Sequence, residues 1–299
     1  MDKPLLVIAG ATASGKSALA LQAALKLNGE IVSVDSMQLY ADLPIGTAQP
    51  SPEEKSQVPH HLVGIYDLQE RSEVFRFCSM ADKIIADIRS RGKLPILCGG
   101  TGLYLKALLY GLDDLPGDRD LRRELDELYD SDAGEVLLHQ RIAALDPAAF
   151  EKWKLCRRRL IRALEVFLLT GRSIVELQQG RKNTLRYNVS AFILDLASDI
   201  LKERIAKRAK QMLDSGWIEE AENAINRGLF STPTAHQALG YRQIADYLDG
   251  KTGKDELFQK ICTATWQYAR RQRTWFRHQH PEAEKYTGGV ENLLLRATL

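Results

Sequence analysis

The sequence predicts an α/β fold in which a parallel sheet is flanked by helices and carries an inserted helical lobe and a helical C-terminal region. Three observations predict it. Short apolar runs at residues 5–9, 30–34 and 94–98 have the length of strands buried on both faces. Helical periodicity separates them and each run ends in glycine or polar turn residues, giving the βαβαβ alternation of a doubly wound sheet. With 299 residues, 44% of them hydrophobic and 27% charged, the chain can bury one large core or two modest ones.

The first strand runs into Gly10-Ala11-Thr12-Ala13-Ser14-Gly15-Lys16-Ser17, which matches G-x-x-x-x-G-K-[ST] between a strand and a helix. The helix, residues 16–27, repeats apolar Leu19, Ala23 and Leu27 on one face. Backbone N–H groups of such a loop and the helix N-terminus form an anion nest. Lys16 adds a point charge and the Ser17 hydroxyl can hold a magnesium ion. Gly10, Thr12, Ala13, Ser14, Gly15, Lys16 and Ser17 are therefore the expected seat of a di- or triphosphate in a P-loop NTPase-like fold. The second strand ends in Asp35-Ser36-Met37-Gln38, which places a carboxylate at the sheet edge where doubly wound folds bind ligands. Asp35 there can take a magnesium ion or a proton, or simply cap the turn. A helix at residues 77–91, with Met80, Ile84, Ile85 and Ile88 on one face, leads to the third strand. That strand opens into Gly99-Gly100-Thr101-Gly102, which brings backbone and one hydroxyl to the same edge, although Thr101 also suits a plain helix N-cap. No apolar strand ends in the acidic patterns of a nucleotide-hydrolysing site, so phosphate binding without hydrolysis is expected.

After Gly111 the pattern turns helical, with breaks at Pro116, Asp132, Pro147 and Gly171. A strand-like run at 189–196 then returns to the sheet, followed by helices at about 199–213, 218–227, 234–248 and 255–277. The expected organisation is a P-loop core in two parts, 1–112 and 189–299, with the helical lobe at 113–188 between them.

Net charge is +2, from 41 Lys and Arg against 39 Asp and Glu, which by itself argues against a strongly basic nucleic-acid binder. Its distribution argues otherwise. Residues 152–162 hold six basic and no acidic side chains, and residues 257–281 hold five and none, leaving the rest of the chain at −9. Arg270, Arg273 and Arg277 share one helical face, interleaved with Tyr268, Trp275 and Phe276, an arrangement suited to a phosphate backbone beside unstacked bases. The four cysteines are scattered, which speaks against a zinc site or disulfide scaffold, and adjacent His60 and His61 point apart, which disfavours a shared metal. No run is long enough to span a membrane and no signal peptide fits, so a soluble, cytoplasmic, monomeric protein is expected.

The motifs in order, Gly10 to Ser17, Asp35-Ser36-x-Gln38-x-Tyr40, Ile45-Gly46-Thr47-Ala48, Pro59-His60-His61-Leu62, Gly99 to Tyr104, Arg162-Ala163-Leu164-Glu165, Gly240-Tyr241-Arg242, and Arg271-Gln272 with Thr274-Trp275-Phe276-Arg277, resemble the tRNA dimethylallyltransferase (tRNA isopentenyltransferase) family across residues 8–277. The resemblance implies transfer of a dimethylallyl group from dimethylallyl diphosphate to N6 of adenosine 37 in the anticodon loop of tRNAs reading codons that begin with U, with Mg2+ as cofactor. It implies that Asp35 is the base, that Thr101 and Lys16 serve the reacting diphosphate, that Asp35, Ser36, Met37 and Gln38 meet the target adenosine, and that Thr101 also contacts the tRNA. It further implies tRNA contacts at Arg123, Arg158, Arg159, Leu160, Ile161, Arg162, Ala163, Gly240, Tyr241, Arg242, Gln243, Arg270, Arg273 and Arg277. Ala11, Gln49 and Cys156 depart from the family's usual proline, lysine and asparagine or aspartate. Two other enzymes share part of this pattern: an adenylate isopentenyltransferase acting on AMP or ADP, which has no use for the basic C-terminal helices, and a P-loop small-molecule kinase. A non-catalytic RNA-binding protein would need neither the intact P-loop nor Asp35.

Overall fold

A computed structural model describes residues 4–112, 115–178, 184–280 and 283–297. The chain divides into two units, one made of Met1–Gly111 and Leu185–Leu299, the other of Leu112–Thr184. The first unit opens with β1 (Leu5–Gly10), α1 (Lys16–Leu27), β2 (Gly29–Val34), α2 (Pro52–Gln57), β3 (His60–His61), α3 (Val74–Ser90), β4 (Leu94–Gly99) and α4 (Gly102–Tyr110). The second unit holds α5 (Arg119–Leu128), α6 (Asp132–Leu145), α7 (Pro147–Trp153), α8 (Arg157–Thr170) and α9 (Ile174–Gln178). The chain then completes the first unit with β5 (Val189–Leu194), α10 (Ser198–Asp214), α11 (Trp217–Asn226), α12 (Tyr241–Leu248), α13 (Lys254–Gln279), β6 (Glu284–Tyr286) and α14 (Val290–Arg296).

The six strands form one parallel sheet in the order β3-β2-β4-β1-β5-β6. β1 lies inside it, with Val7 opposite Leu97 on one side and Ala191 on the other. Successive side chains point to opposite faces. Leu6, Ile8, Ile96, Cys98, Phe192 and Leu194 pack with α1 and α14, while α3 and α13 pack on the sheet with Leu5, Val7 and Leu97 buried. Burial on both faces is what a near-continuous apolar strand requires, and it sends the loops that follow β1, β2 and β4 to the same edge.

Three departures from the sequence pattern have physical reasons. β3 and β6 are edge strands of two and three residues, too short to show a period. The expected helix over 234–248 begins only at Tyr241, after a 3-10 turn at Ala235–Gln237, because Gly240 sits at φ +94° and breaks the helix. The run at 30–34 starts with a buried carboxylate: Glu30, 1% exposed, accepts from Arg91 Nη2 (2.8 Å), Lys93 Nζ (2.8 Å) and His61 Nε2 (2.8 Å). The Arg91 guanidinium above all holds that carboxyl well below the usual carboxylate range.

The second unit has its own core of Leu125, Tyr129, Leu138, Ile142, Leu160, Ile161, Ala163, Leu164 and Val166. Its helices start on side-chain caps, Asp118 for α5, Ser131 for α6 and Asp146, followed by Pro147, for α7. Glu165, 1% exposed, joins α8 to the α5 region by accepting from Arg122, Arg162 and the Asp118 N–H.

Candidate active site

The P-loop is wound around its own carbonyls and pinned from outside. Ser14 N–H donates to Ala11 O (3.2 Å), Lys16 Nζ lies 3.2 Å from the same oxygen, and Gly15 at φ +94° turns the chain into α1. Ala13 is left-handed at φ +61°, a conformation that costs a non-glycine residue about 1–2 kcal/mol and that no sequence pattern announces. Thr12 N–H donates to Gln272 Oε1 (2.8 Å), and Gln272 Nε2 donates to Gly100 O (2.9 Å), so one α13 side chain ties the loop after β1 to the loop after β4. Two arginines one turn apart on α10 complete the cradle: Arg204 Nη1 donates to Ser14 O (3.0 Å) and Arg208 Nη1 to Thr12 Oγ1 (3.1 Å). Burial lowers the pKa of both Lys16 and Arg208, and in each case the nearby Asp35 charge opposes that shift. Two cations in low dielectric facing one carboxylate form a site short of negative charge. The Ser14 hydroxyl is buried there with no hydrogen-bond partner among the described residues.

Asp35 closes the turn after β2. Its Oδ1 accepts from Met37 N (2.9 Å) and Gln38 N (3.4 Å), which leaves the other oxygen for chemistry. The Thr101 hydroxyl does not cap α4; it accepts from Ser36 N (3.0 Å) and holds the turn beside Asp35. The Gln38 amide is spent within the protein, accepting from Ser33 Oγ (2.8 Å) and donating to Ala48 O (2.8 Å) and Thr47 O (3.3 Å). Gln49 donates to Gln38 O (3.1 Å) and Tyr40 O (2.8 Å) and so fastens the same turn. Cys98, its thiol pushed up to about 11 by burial, is an inert wall.

Two cavities meet at Asp35. The smaller, about 100 Å³, is lined by Lys16, Ser17, Ser33, Gln38, His60 and Cys98. The larger, about 320 Å³, has apolar walls from Met37, Ile205, Ala209, Met212, Trp217, Leu239 and Ile261, with Ser36 and Arg271 also on its lining. Thr12, Asp35, Thr47, Arg208 and Tyr268 line both. Sequence reasoning missed Arg204 and Arg208, and it placed Tyr268 and Arg271 on the basic C-terminal helix without assigning either to these cavities. The one available signal was Arg204 and Arg208 spaced i, i+4 on the helix that follows the return strand.

The expected tRNA contacts lie in different surroundings, and four of their side chains require correction. Leu160, Ile161 and Ala163 are at most 1% exposed inside the core of the second unit, and Tyr241 is 0% exposed with its hydroxyl on Glu220 (2.6 Å), so their side chains cannot face a polynucleotide. Gly240 is buried against the Trp217 ring. Arg162 is engaged with Glu165 and the Leu115 and Pro116 carbonyls. Arg273 is held by Asp195 (3.0 Å) and Ser198 (2.9 Å), so the shared-face argument for residues 270, 273 and 277 does not apply to it. Arg158, Arg159, Arg270 and Arg277 are exposed and pair with no acid among the described residues. Arg123 is exposed beside Asp120, Arg242 lies over the Phe230 ring (5.1 Å), and Gln243 is half-buried. His60 and His61 bond to different partners, Val58 O and Glu30, and hold no common site.

A P-loop cradle joined through a carboxylate to an apolar chamber defines an α/β group transferase that handles a phosphorylated, partly apolar substrate. A profile described as IPP transferase matches residues 38–279, and a second, isopentenyl transferase, matches residues 3–63. The tRNA dimethylallyltransferase of Methylococcus capsulatus is 46% identical over 98% of this chain and 95% of its own length; that of Geobacillus thermodenitrificans is 39% identical over 98% and 96%. The crystal structure of a tRNA isopentenylpyrophosphate transferase from Bacillus halodurans superposes with a TM-score of 0.71 at 35% identity, covering 98% of this chain and 93% of that one. A eukaryotic dimethylallyltransferase acting on tRNA superposes at 0.77 and 30% identity, covering 92% and 70%. The chain belongs to the IPP transferase family.

Proposed function

We propose that the protein transfers the dimethylallyl group of dimethylallyl diphosphate to N6 of adenosine 37 in the anticodon loop of tRNAs that read codons beginning with U. The reading rests on membership of the IPP transferase family and on the tRNA dimethylallyltransferases that resemble the chain along almost its whole length. One structural observation carries the mechanism: Asp35 stands where the cationic phosphate cavity meets the larger apolar one. The diphosphate sits on the loop N–H groups with Lys16 and Arg208 beside it. A single-stranded loop base leaves its stack to reach the larger cavity, as bases must to react. The adenine amine is a weak nucleophile because its lone pair is delocalised. As the new N6–carbon bond forms and the carbon–oxygen bond to diphosphate breaks, Asp35 takes the N6 proton, and the charge growing on the diphosphate is met by Lys16, Arg208 and the loop N–H groups.

No cluster of three or more His, Cys, Asp or Glu among the described residues is arranged to hold a metal. The Ser17 hydroxyl, in the same cavity as Lys16 and Asp35, is the hard oxygen donor that suits Mg2+ bound mainly by diphosphate and water, so these residues fit that ion. Bound there, it would supply charge neutralisation to the leaving diphosphate. The reading puts the protein in the cytoplasm with its substrate; no helix among the described residues is long and apolar enough to cross a membrane. The test is turnover by Asp35→Asn with unmodified tRNA, dimethylallyl diphosphate and magnesium. Binding of both substrates is retained and the yield of dimethylallylated nucleoside per unit time falls by about 10²- to 10⁴-fold. Near-normal turnover removes Asp35 as the base.

A further inference from the structure

We propose that Glu220, on α11, is a positioning residue for this reaction: it clamps the turn at residues 45–48 and, through Gln38, sets the Asp35 turn and the wall of the larger cavity. The proposal rests on the transfer reaction given above and adds a residue to it.

Glu220 has no cationic partner among the described ion pairs. Its carboxylate instead collects three neutral donors: Ile45 N–H on Oε2 (2.6 Å), Gly46 N–H on Oε1 (2.8 Å) and the Tyr241 hydroxyl on Oε1 (2.6 Å). Ile45 and Gly46 open a tight turn in which Thr47 N–H returns to Leu43 O, Ala48 N–H to Ile45 O and Gln49 N–H to Pro44 O. The two N–H groups caught by Glu220 are the ones such a turn leaves over, so an anion there fixes it as a helix cap does. The far end of the turn meets the Gln38 amide through the Thr47 and Ala48 carbonyls, and Gln38 N–H is one of the two donors to Asp35. A continuous run of hydrogen bonds therefore links Glu220 on α11, 175 positions from Ile45 in sequence, to the carboxylate at the junction of the cavities.

Two glycines show how closely these pieces are fitted. A Cβ at Gly46 would overlap both Trp217 and Tyr241, and a Cβ at Gly240 would overlap the Trp217 ring. Trp217, 2% exposed and edge-on to Tyr241 (centroids 6.1 Å apart), is thereby wedged between the two turns and forms part of the larger cavity's apolar wall. The motifs at residues 45–48 and 240–242 become two halves of one clamp closed by Glu220, which belongs to neither.

Glu220→Gln tests this, because an amide of the same shape keeps one acceptor and turns an NH2 toward a backbone N–H. The control, Glu219→Gln, makes the same charge change on an exposed neighbour in the first turn of α11. E220Q is expected to lower kcat with tRNA by about ten- to a hundredfold, the scale of a small misplacement of reacting groups. The Kd for dimethylallyl diphosphate stays within about twofold of wild type, because among the described residues the hydrogen bonds of the P-loop, Lys16 and Arg208 run to Gln272, Arg204 and one another and not to the clamp. Gln38→Ala, which cuts the same chain of bonds outside the clamp, reproduces the fall, and the double variant is little worse than either single one. A kcat per folded molecule equal to that of E219Q, or factors that multiply in the double variant, overturns the proposal. If E220Q does not fold, Q38A with unchanged kcat overturns it alone. Failure of wild type to modify tRNA would instead defeat the reaction itself, so the two readings fail separately.

Discussion

At the level of single residues, the P-loop and Asp35 are legible because their chemistry is local: a fixed spacing of glycines, a lysine and a hydroxyl after a strand, and an acid at a strand's carboxyl end. Arg208 is not, because an arginine on a solvated-looking helix acquires meaning only when tertiary folding aims it at Thr12. Arg273 shows the converse, since helical spacing cannot reveal that its side chain is paired with Asp195. Removing Arg208 as Ala strips one charge-assisted interaction, so the Kd for dimethylallyl diphosphate, measured by titration calorimetry, is expected to rise about 10- to 100-fold. Lys16 adds a pH dependence. Burial lowers its pKa below the usual 10.5, so the free enzyme loses this charge at lower pH than an ordinary lysine would. A bound diphosphate holds the proton on, so affinity weakens as pH rises through that lowered pKa, and binding there takes up protons from buffer. Arg at position 16, which keeps its charge, is expected to flatten the alkaline fall; an unchanged pH profile in Lys16→Arg assigns it elsewhere.

At the level of elements, strands and helices with strong periods are readable and the joints between them are not. β3 and β6 are too short to display alternation, and Gly240 breaks a helix whose residues otherwise keep the pattern. Helix α13 presents itself in the sequence as a basic RNA-facing element; its buried side also carries Gln272, 6% exposed, which ties two active-site loops together. Gln272→Leu leaves the Thr12 N–H and Gly100 carbonyl without their partner, and chemical denaturation is expected to record a stability decrease of about 2–4 kcal/mol. The Glu30 cluster gives an acid-side prediction. Its folded pKa lies below the unfolded 4.5, so its contribution is complete above that pH and fades as pH falls below it. Glu30→Gln is therefore less stable than wild type at neutral pH, and the gap narrows when melting is followed below pH 4.5.

For the molecule as a whole, the balanced charge of +2 hides segregation that the sequence already displays. Arg157, Arg158 and Arg159 occupy the first turn of α8, where cations oppose the helix dipole at a cost of about 0.3–1 kcal/mol each. Arg157 is absorbed by Tyr129 O and Asp126, while Arg158 and Arg159 remain exposed, an arrangement that favours a polyanion. Salt titrations of tRNA binding separate working from structural arginines. Arg277→Ala is expected to reduce the slope of log K against log salt by about 0.7–0.9, the counterion share of one phosphate, and Arg273→Ala to leave it unchanged. The central claim, that this P-loop core and its basic surfaces act together on an RNA loop, is tested most directly by giving the protein dimethylallyl diphosphate and magnesium with either unmodified tRNA or AMP and weighing the nucleosides formed. The account predicts N6-dimethylallyladenosine from tRNA and none from AMP. Modification of AMP alone, with tRNA untouched, would contradict it.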